Sequence, residues 1–279
     1  MISCKGVHKA FHGKTVLDEI NLTVAQGEIF GLLGPSGAGK TTLIKILTGQ
    51  LTGDGGQVFV FGKDTSELTG EDRNCMGIMM DQFGVYERFS CMDNLKIFAD
   101  IYGISYHQAK KTLCDVGLKD AHKTAAAKLS KGMRTRLCLA RVFMTEPKLM
   151  FLDEPTSGLD PATTASIHDL ILKKREEGCT IFLTTHNMDE AAKLCDHVAL
   201  LNEGRIVEYG NPSEICRKYD HQRSIRIHLY DGREAVFDYS DTSAERIQDL
   251  IKNGKLQTIH STEPDLESVF MELTGRRIS

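Results

Sequence analysis

The sequence predicts an α/β chain. It should have a mostly parallel sheet with an antiparallel β part at the N-terminal end, a helical insertion and a small C-terminal α+β appendix. Three observations carry this. The apolar run Ile29-Phe30-Gly31-Leu32-Leu33 passes directly into a glycine-rich stretch and then into helical spacing, the strand–loop–helix order that opens a parallel α/β domain. Lys148-Leu-Met-Phe-Leu152 and Thr180-Ile-Phe-Leu-Thr184 are short, nearly continuous apolar runs, the pattern of strands buried on both faces. From about residue 216 the pattern changes, with Ile225, Ile227 and Leu229 alternating with polar residues.

In chain order, residues 16 to 33 alternate and then become continuously apolar, with Gln26-Gly27-Glu28 as the turn between two strands. Beyond Lys40, the residues Leu43, Ile44, Ile46 and Leu47 fall on one side of a helix that closes near Gly49. Residues 57–62 and 76–80 read as further strands. A helical region covers about residues 83–142, in which Ser105 and Gln108 read as a capping box and Ala109, Leu113 and Val116 form a stripe ending at Gly117. Asp160 and Pro161 suit the N-cap and first position of a helix. Residues 197–202 and 205–209 form a hairpin about Glu203-Gly204. In the tail, Asp231-Gly232 turns a second hairpin. Thr242 with Glu245 caps a helix ending near Gly254, Leu256 to Ile259 is a short strand, and Pro264 starts a last helix with Leu266, Val269, Phe270 and Leu273 on one face. The expected boundary divides a domain at 1–215 from an accessory domain at 216–279.

The formal net charge is −4 over 279 residues. Without a basic excess to neutralise phosphates, nucleic acid is not expected as the partner. No apolar stretch approaches the roughly 20 residues needed to cross a bilayer, and Met1-Ile-Ser-Cys-Lys-Gly6 lacks the apolar core of a signal peptide. The expected location is therefore cytoplasmic, with any membrane role supplied through another chain. The cysteines at 4, 75, 91, 114, 138, 179, 195 and 216 form no Cys-x-x-Cys pair, so reduced thiols are expected and zinc is not.

Gly34-Pro35-Ser36-Gly37-Ala38-Gly39-Lys40-Thr41, followed by Thr42, fulfils the G-x-x-x-x-G-K-[ST] pattern. Its glycines let backbone N–H groups face inward around phosphates, and the helix that follows adds its positive end. Lys40 is expected to reach the β- and γ-phosphates and Thr41 to hold Mg²⁺ through its hydroxyl. Asp153 and Glu154 end the run at 148–152, at the carboxyl edge of a parallel sheet where ligands bind. Asp153 is expected to hold Mg²⁺, and Glu154 to act as general base on the attacking water.

Leu129-Ser130-Lys131-Gly132-Met133, followed by Arg136-Leu-Cys-Leu-Ala-Arg141, resembles the signature segment of ATP-binding cassette (ABC) ATPases. The resemblance extends over about residues 2 to 215. It implies the P-loop ABC-ATPase fold with a helical signature subdomain, the nucleotide-binding subunit of membrane transporters. In such a pair, two copies enclose two ATP molecules, and Ser130 and Gly132 of one copy face the γ-phosphate held by the other. The resemblance further implies that Phe11 stacks on adenine, Gln82 contacts Mg²⁺ and the attacking water, and Ser157-Gly-Leu-Asp160 touches the partner. His186 is implied as a switch residue at the γ-phosphate. Lys131 and Met133 depart from the common Leu-Ser-Gly-Gly-Gln form. Lys131 either adds charge near nucleotide or points into solvent.

Glu263-Pro-Asp-Leu-Glu-Ser-Val-Phe270 with Leu273-Thr-Gly275 resembles the end of ATPases from bacterial exporters of drugs, antimicrobial peptides and polysaccharides. The implied function is ATP hydrolysis powering a separate permease, with a second ATPase subunit, identical or different, completing the dimer. The region from Phe83 to Phe89 is expected to dock the permease. A soluble ABC ATPase with a non-transport partner is the alternative. The single cassette and the absence of heptads between Thr41 and Asp153 speak against its ribosomal and DNA-repair forms. A P-loop kinase would not need the signature, Gln82 and His186 together.

Overall fold

The computed structural model describes residues 1–80, 84–221, 224–261 and 264–275. The chain divides into two compact units, the first running from Met1 to Asn211 and the second beginning at Pro212. The first unit opens with strands β1 (Ile2–Phe11), β2 (Lys14–Val24) and β3 (Ile29–Leu33), then helix α1 (Lys40–Leu47). It continues through β4 (Gly55–Val60), β5 (Lys63–Asp64), α2 (Gly70–Asn74) and β6 (Met76–Met80). Three helices follow, α3 (Cys91–Tyr102), α4 (Tyr106–Asp115) and α5 (Lys131–Phe143). The parallel core resumes with β7 (Leu149–Asp153), α6 (Pro161–Glu176), β8 (Thr180–Thr185), α7 (Met188–Leu194), β9 (His197–Asn202) and β10 (Arg205–Gly210).

The main sheet has the order β10-β9-β3-β8-β7-β6, parallel throughout except for the antiparallel edge strand β10. Every residue of β3, β7 and β8 is buried, as continuous apolar runs require when helices cover both faces. Phe182 packs against Phe30 and Phe151 with ring centroids 5.2 and 5.7 Å apart. A four-stranded antiparallel sheet, β2-β1-β4-β5, lies beside it. The apolar side of α1, Leu43, Ile44, Ile46 and Leu47, joins Phe30 and Phe151 to Val7, Leu17 and Ile20 in one core. Burial of each such side chain contributes roughly 1.5–3 kcal/mol, so the phosphate loop is anchored by its helix.

The second unit contains α8 (Pro212–Lys218), β11 (Ser224–Leu229), β12 (Glu234–Asp238), α9 (Asp241–Lys252), β13 (Leu256–Ser261) and α10 (Leu266–Thr274). Its sheet is antiparallel in the order β12-β11-β13. Ile227, Ile247, Leu266, Val269 and Phe270 are buried within it. Among the described residues, no helix is long and apolar enough to cross a membrane.

Several local details differ from the sequence reading. The strand expected at 57–62 is Gly55–Val60, because Phe61 and Gly62 adopt positive φ (56° and 78°) and turn the chain into β5. Ser105 caps α4 by accepting from Gln108 N–H, but the Gln108 side chain donates to Glu146 at 2.9 Å rather than returning to the cap. Helix α9 is capped by Ser240 through Ser243 N–H, not by Thr242. The last helix begins at Leu266 with Asp265 as its cap, so Pro264 precedes it. The units divide four residues before position 215, so α8 goes with the tail.

Candidate functional site

The loop joining β3 to α1 is shaped by close backbone approach. A Cβ on Gly34 would lie 2.2 Å from the carbonyl oxygen of Leu201 in β9. Gly39 has φ 113°, and a Cβ there would come within 2.8 Å of the Val16 carbonyl. Neither position admits a side chain without moving a strand. Ala38 is buried beneath the loop, its N–H donating to the Pro35 carbonyl at 3.2 Å.

The loop forms one wall of a cleft of about 650 Å³ lined by Ser36, Gly37, Gly39, Lys40, Thr41 and Thr42. Asp153, the last residue of β7, and Glu154 after it also line the cleft. Lys40 is 8 % exposed. Its Nζ donates to the Gly34 carbonyl at 2.6 Å and lies 3.1 Å from Glu154 Oε1. The Thr41 hydroxyl donates to Asp153 Oδ2 at 2.9 Å. The Thr184 hydroxyl donates to Asp153 Oδ1, as the β7–β8 register pairing Asp153 with Thr184 allows. Thr41 and Asp153 thus present adjacent hard oxygen donors, the type that holds Mg²⁺ beside nucleotide phosphates.

Glu154 leaves the strand with φ 51°. Its N–H donates to the Thr184 carbonyl and hydroxyl at 3.0 and 3.2 Å. That anchor turns the side chain toward Lys40 on one oxygen and His186 on the other, with His186 Nδ1 2.7 Å from Glu154 Oε2. The structure therefore brings Lys40, Thr41, Asp153, Glu154 and His186 into one connected cluster. The His186 contact and the Lys40 contact hold the two Glu154 carboxylate oxygens in a fixed orientation at the edge of the cleft.

Other expected site residues are placed elsewhere. Phe11 ends β1, 40 % exposed, with Lys9 Nζ 5.3 Å from its ring centroid. Ser130 is the N-cap of α5, its hydroxyl accepting from Met133 N–H at 3.3 Å. Gly132 packs against α6, where a Cβ would meet Thr163 Cγ2 at 2.5 Å. Asp160 caps α6 by accepting from Thr163 N–H and hydroxyl at 3.0 and 2.6 Å. The hydroxyl and then the N–H of Thr163 hold its carboxyl below the usual range. Among the described residues, Phe11, Ser130, Gly132, Asp160 and His186 do not line the cleft itself, whereas Lys131 does. Lys131 is exposed, with its Nζ beside Gly158, where a Cβ would lie 2.4 Å away. Gln82 lies outside the described residues.

Sequence reasoning missed Glu190. Asn187-Met-Asp-Glu190 has the spacing of a capping box, and Asn187 does accept from Glu190 N–H at 3.0 Å. The Glu190 side chain instead turns inward and is 3 % exposed.

Residues 17–157 match the family described as "ABC transporter". The chain is 40 % identical over 268 residues to a fluoroquinolones export ATP-binding protein of Mycobacterium tuberculosis, covering 93 % of this chain and 88 % of that one. It is 33 % identical over 290 residues to a methionine import ATP-binding protein of Listeria monocytogenes, covering 99 % and 84 %. Among solved structures, it superposes on an ATP binding subunit of an ABC transporter with TM-score 0.70 at 26 % identity, covering 78 % of this chain and 93 % of that chain.

Proposed function

This chain belongs to the ATP-binding cassette (ABC) transporter family, and on that premise we propose that it is the ATP-hydrolysing subunit of an exporter whose membrane path is a separate permease. The observation that carries the reading is the cluster of Lys40, Thr41, Asp153, Glu154 and His186 at the mouth of the phosphate loop. Export, of a drug or similar compound, is favoured over import because the exporter relative is the more similar of the two, at 40 % against 33 % identity.

The residues divide the work. Backbone N–H groups of 34–41 and Lys40 bind the phosphates. Thr41 and Asp153 would hold Mg²⁺, which neutralises charge on the transferred phosphoryl group. Glu154 takes the proton from the attacking water, and His186 fixes the Glu154 carboxylate at the γ-phosphate end. Gln82 contacts the same water, and Phe11 offers its ring to adenine. Ser130, Gly132 and Asp160 act across a dimer with an identical or different ATPase subunit, where the signature helix of one copy meets the nucleotide of the other. The working protein is cytoplasmic and peripheral, held on the inner face of the membrane by its permease. Tyr86 and Phe89, 51 % and 46 % exposed, support a docking surface for that partner in the segment after Gln82. The second unit is an accessory domain.

The reading is tested by ATP binding and turnover of Glu154→Gln. Binding is expected to survive while turnover falls about 10²–10⁴-fold, the contribution of a positioned general base. Wild-type turnover would remove Glu154 from the chemistry. Ser130→Arg is expected to abolish hydrolysis in a purified homodimer. Unchanged activity there would refute the role across the dimer. Copurification of the wild-type chain with a polytopic membrane partner, and drug efflux that depends on both, tests the transport assignment.

A further inference from the structure

The groups at the reacting end of the cleft sit on two separate loops. Glu154 begins the loop after β7, where Ser157 N–H donates to the Glu154 carbonyl at 3.2 Å and Leu159 N–H to the Thr156 carbonyl at 3.1 Å. His186 begins the loop after β8, spanned by Asn187 N–H donating to Thr185 Oγ1 at 3.0 Å. Glu154 and His186 lie within hydrogen-bond distance only if these two loops keep a fixed relative position.

Glu190, in the first turn of α7, reaches both. The Thr156 hydroxyl donates to Glu190 Oε1 at 2.5 Å and the Thr185 hydroxyl donates to Oε2 at 2.8 Å. His168 of α6 places Nε2 2.9 Å from Oε1. Glu190, Thr156 and Thr185 are each no more than 8 % exposed. A carboxylate this buried is tolerated because its oxygens are hydrogen-bonded. Moving either loop would strip a donor from it and leave a buried oxygen unsatisfied, which opposes the movement.

We propose that Glu190 is a positioning residue for ATP hydrolysis. Its carboxylate locks the loop that carries Glu154 to the loop that carries His186, and through His168 ties both to the helix that Asp160 caps. It touches neither nucleotide nor water, and acts by setting the distance between the two residues that do. The proposal rests on the reading of Glu154 and His186 as the hydrolytic pair.

Glu190→Gln keeps the shape but replaces one accepting oxygen with a donor, so Thr156, Thr185 and His168 can no longer all donate to it. On the purified full chain, kcat is expected to fall roughly 10- to 100-fold, as when a group that orients an active-site residue is removed, with the KM for ATP and the affinity for a fluorescent ATP analogue unchanged. In a His186→Ala background, Glu190→Gln should add no further loss, because the residue it positions is gone. Wild-type kcat in Glu190→Gln overturns the proposal. So does a parallel loss of ATP affinity, or the same fold loss in the His186→Ala background, since each marks a structural role only. If Glu190→Gln does not fold, Thr185→Val takes its place. It is expected to lower kcat at unchanged KM, and wild-type kcat in that variant overturns the proposal. His186→Ala measured alone separates the two ideas. Wild-type turnover in it refutes the hydrolytic pair and the positioning role with it. Lost turnover in His186→Ala beside wild-type kcat in Glu190→Gln refutes the positioning role alone.

Discussion

Gly132, the fourth residue of the signature segment, is packed within its own chain, and that gives a prediction with a workable magnitude. It occupies the second position of α5, where a Cβ would lie 2.5 Å from Thr163 Cγ2. Thr163 is not free to yield, because its N–H and hydroxyl are both committed to Asp160, at 3.0 and 2.6 Å. Gly132→Ala should gain about 0.4–1 kcal/mol from the stiffer unfolded chain. Against that stands about 1–3 kcal/mol of overpacking. Overpacking wins, leaving a net loss of about 0.5–2 kcal/mol and a Tm lowered by roughly 1–8 °C for a unit of this size. Thr163→Ser removes Cγ2 while keeping the hydroxyl that Asp160 accepts from. The Gly132→Ala/Thr163→Ser double variant should therefore return to wild-type stability or slightly above, with a coupling near 1 kcal/mol. Urea unfolding of the four proteins, followed by circular dichroism, measures it. A Gly132→Ala protein as stable as wild type, or strict additivity in the double variant, would refute the steric account.

Further outcomes follow from the caps and the buried thiols. Ser240→Ala should cost about 1 kcal/mol through loss of the α9 cap, whereas Thr242→Ala should be close to neutral; the reverse order in urea midpoints would restore the reading from sequence. Burial pushes the Cys4 thiol up to about 12 from an ordinary 9.0. The unfolded chain therefore releases this proton first, so the stability that Cys4 contributes is complete below pH 9 and is lost as pH rises toward 12. The slope should be as much as about 1.4 kcal/mol per pH unit. Midpoints of wild type and Cys4→Ala compared between pH 8 and 10.5 check it, and identical pH dependence in the two would sink the idea.

What could be read from sequence was what neighbours along the chain decide. The phosphate loop lies between a buried strand and an amphipathic helix, Asp160-Pro161 starts α6, and Glu203-Gly204 turns the β9–β10 hairpin with positive φ at both residues. Each is set within a few residues. Caps were less legible where two motifs compete at short range. Ser240 and Thr242 both offer a side-chain oxygen three residues before a helical N–H, and Asp238, which accepts from the Ser240 and Ser243 hydroxyls, favours the earlier start. Gln108 was misjudged because its side chain found Glu146, distant in sequence. Glu190 was missed for the same reason. Locally it resembles a surface capping residue, and only the fold brings Thr156 and His168 to it. Gly132 shows the converse, since its position was noted from sequence but its contact with Thr163 needs two helices that are remote in the chain.

The backbone at Glu154 has a consequence for how this protein can be improved. Of the described non-glycine residues with positive φ, Glu154 is the one that lines the cleft. A left-handed conformation costs such a residue roughly 1–2 kcal/mol, a steric strain that glycine does not carry. Glycine at 154 would relieve that strain, but it would also loosen the unfolded chain by about 0.4–1 kcal/mol and take away the carboxylate that buried Lys40 and His186 face. A screen for sturdier variants that reaches this position has to score turnover alongside melting, because the strained backbone and the side chain facing the cleft belong to one residue.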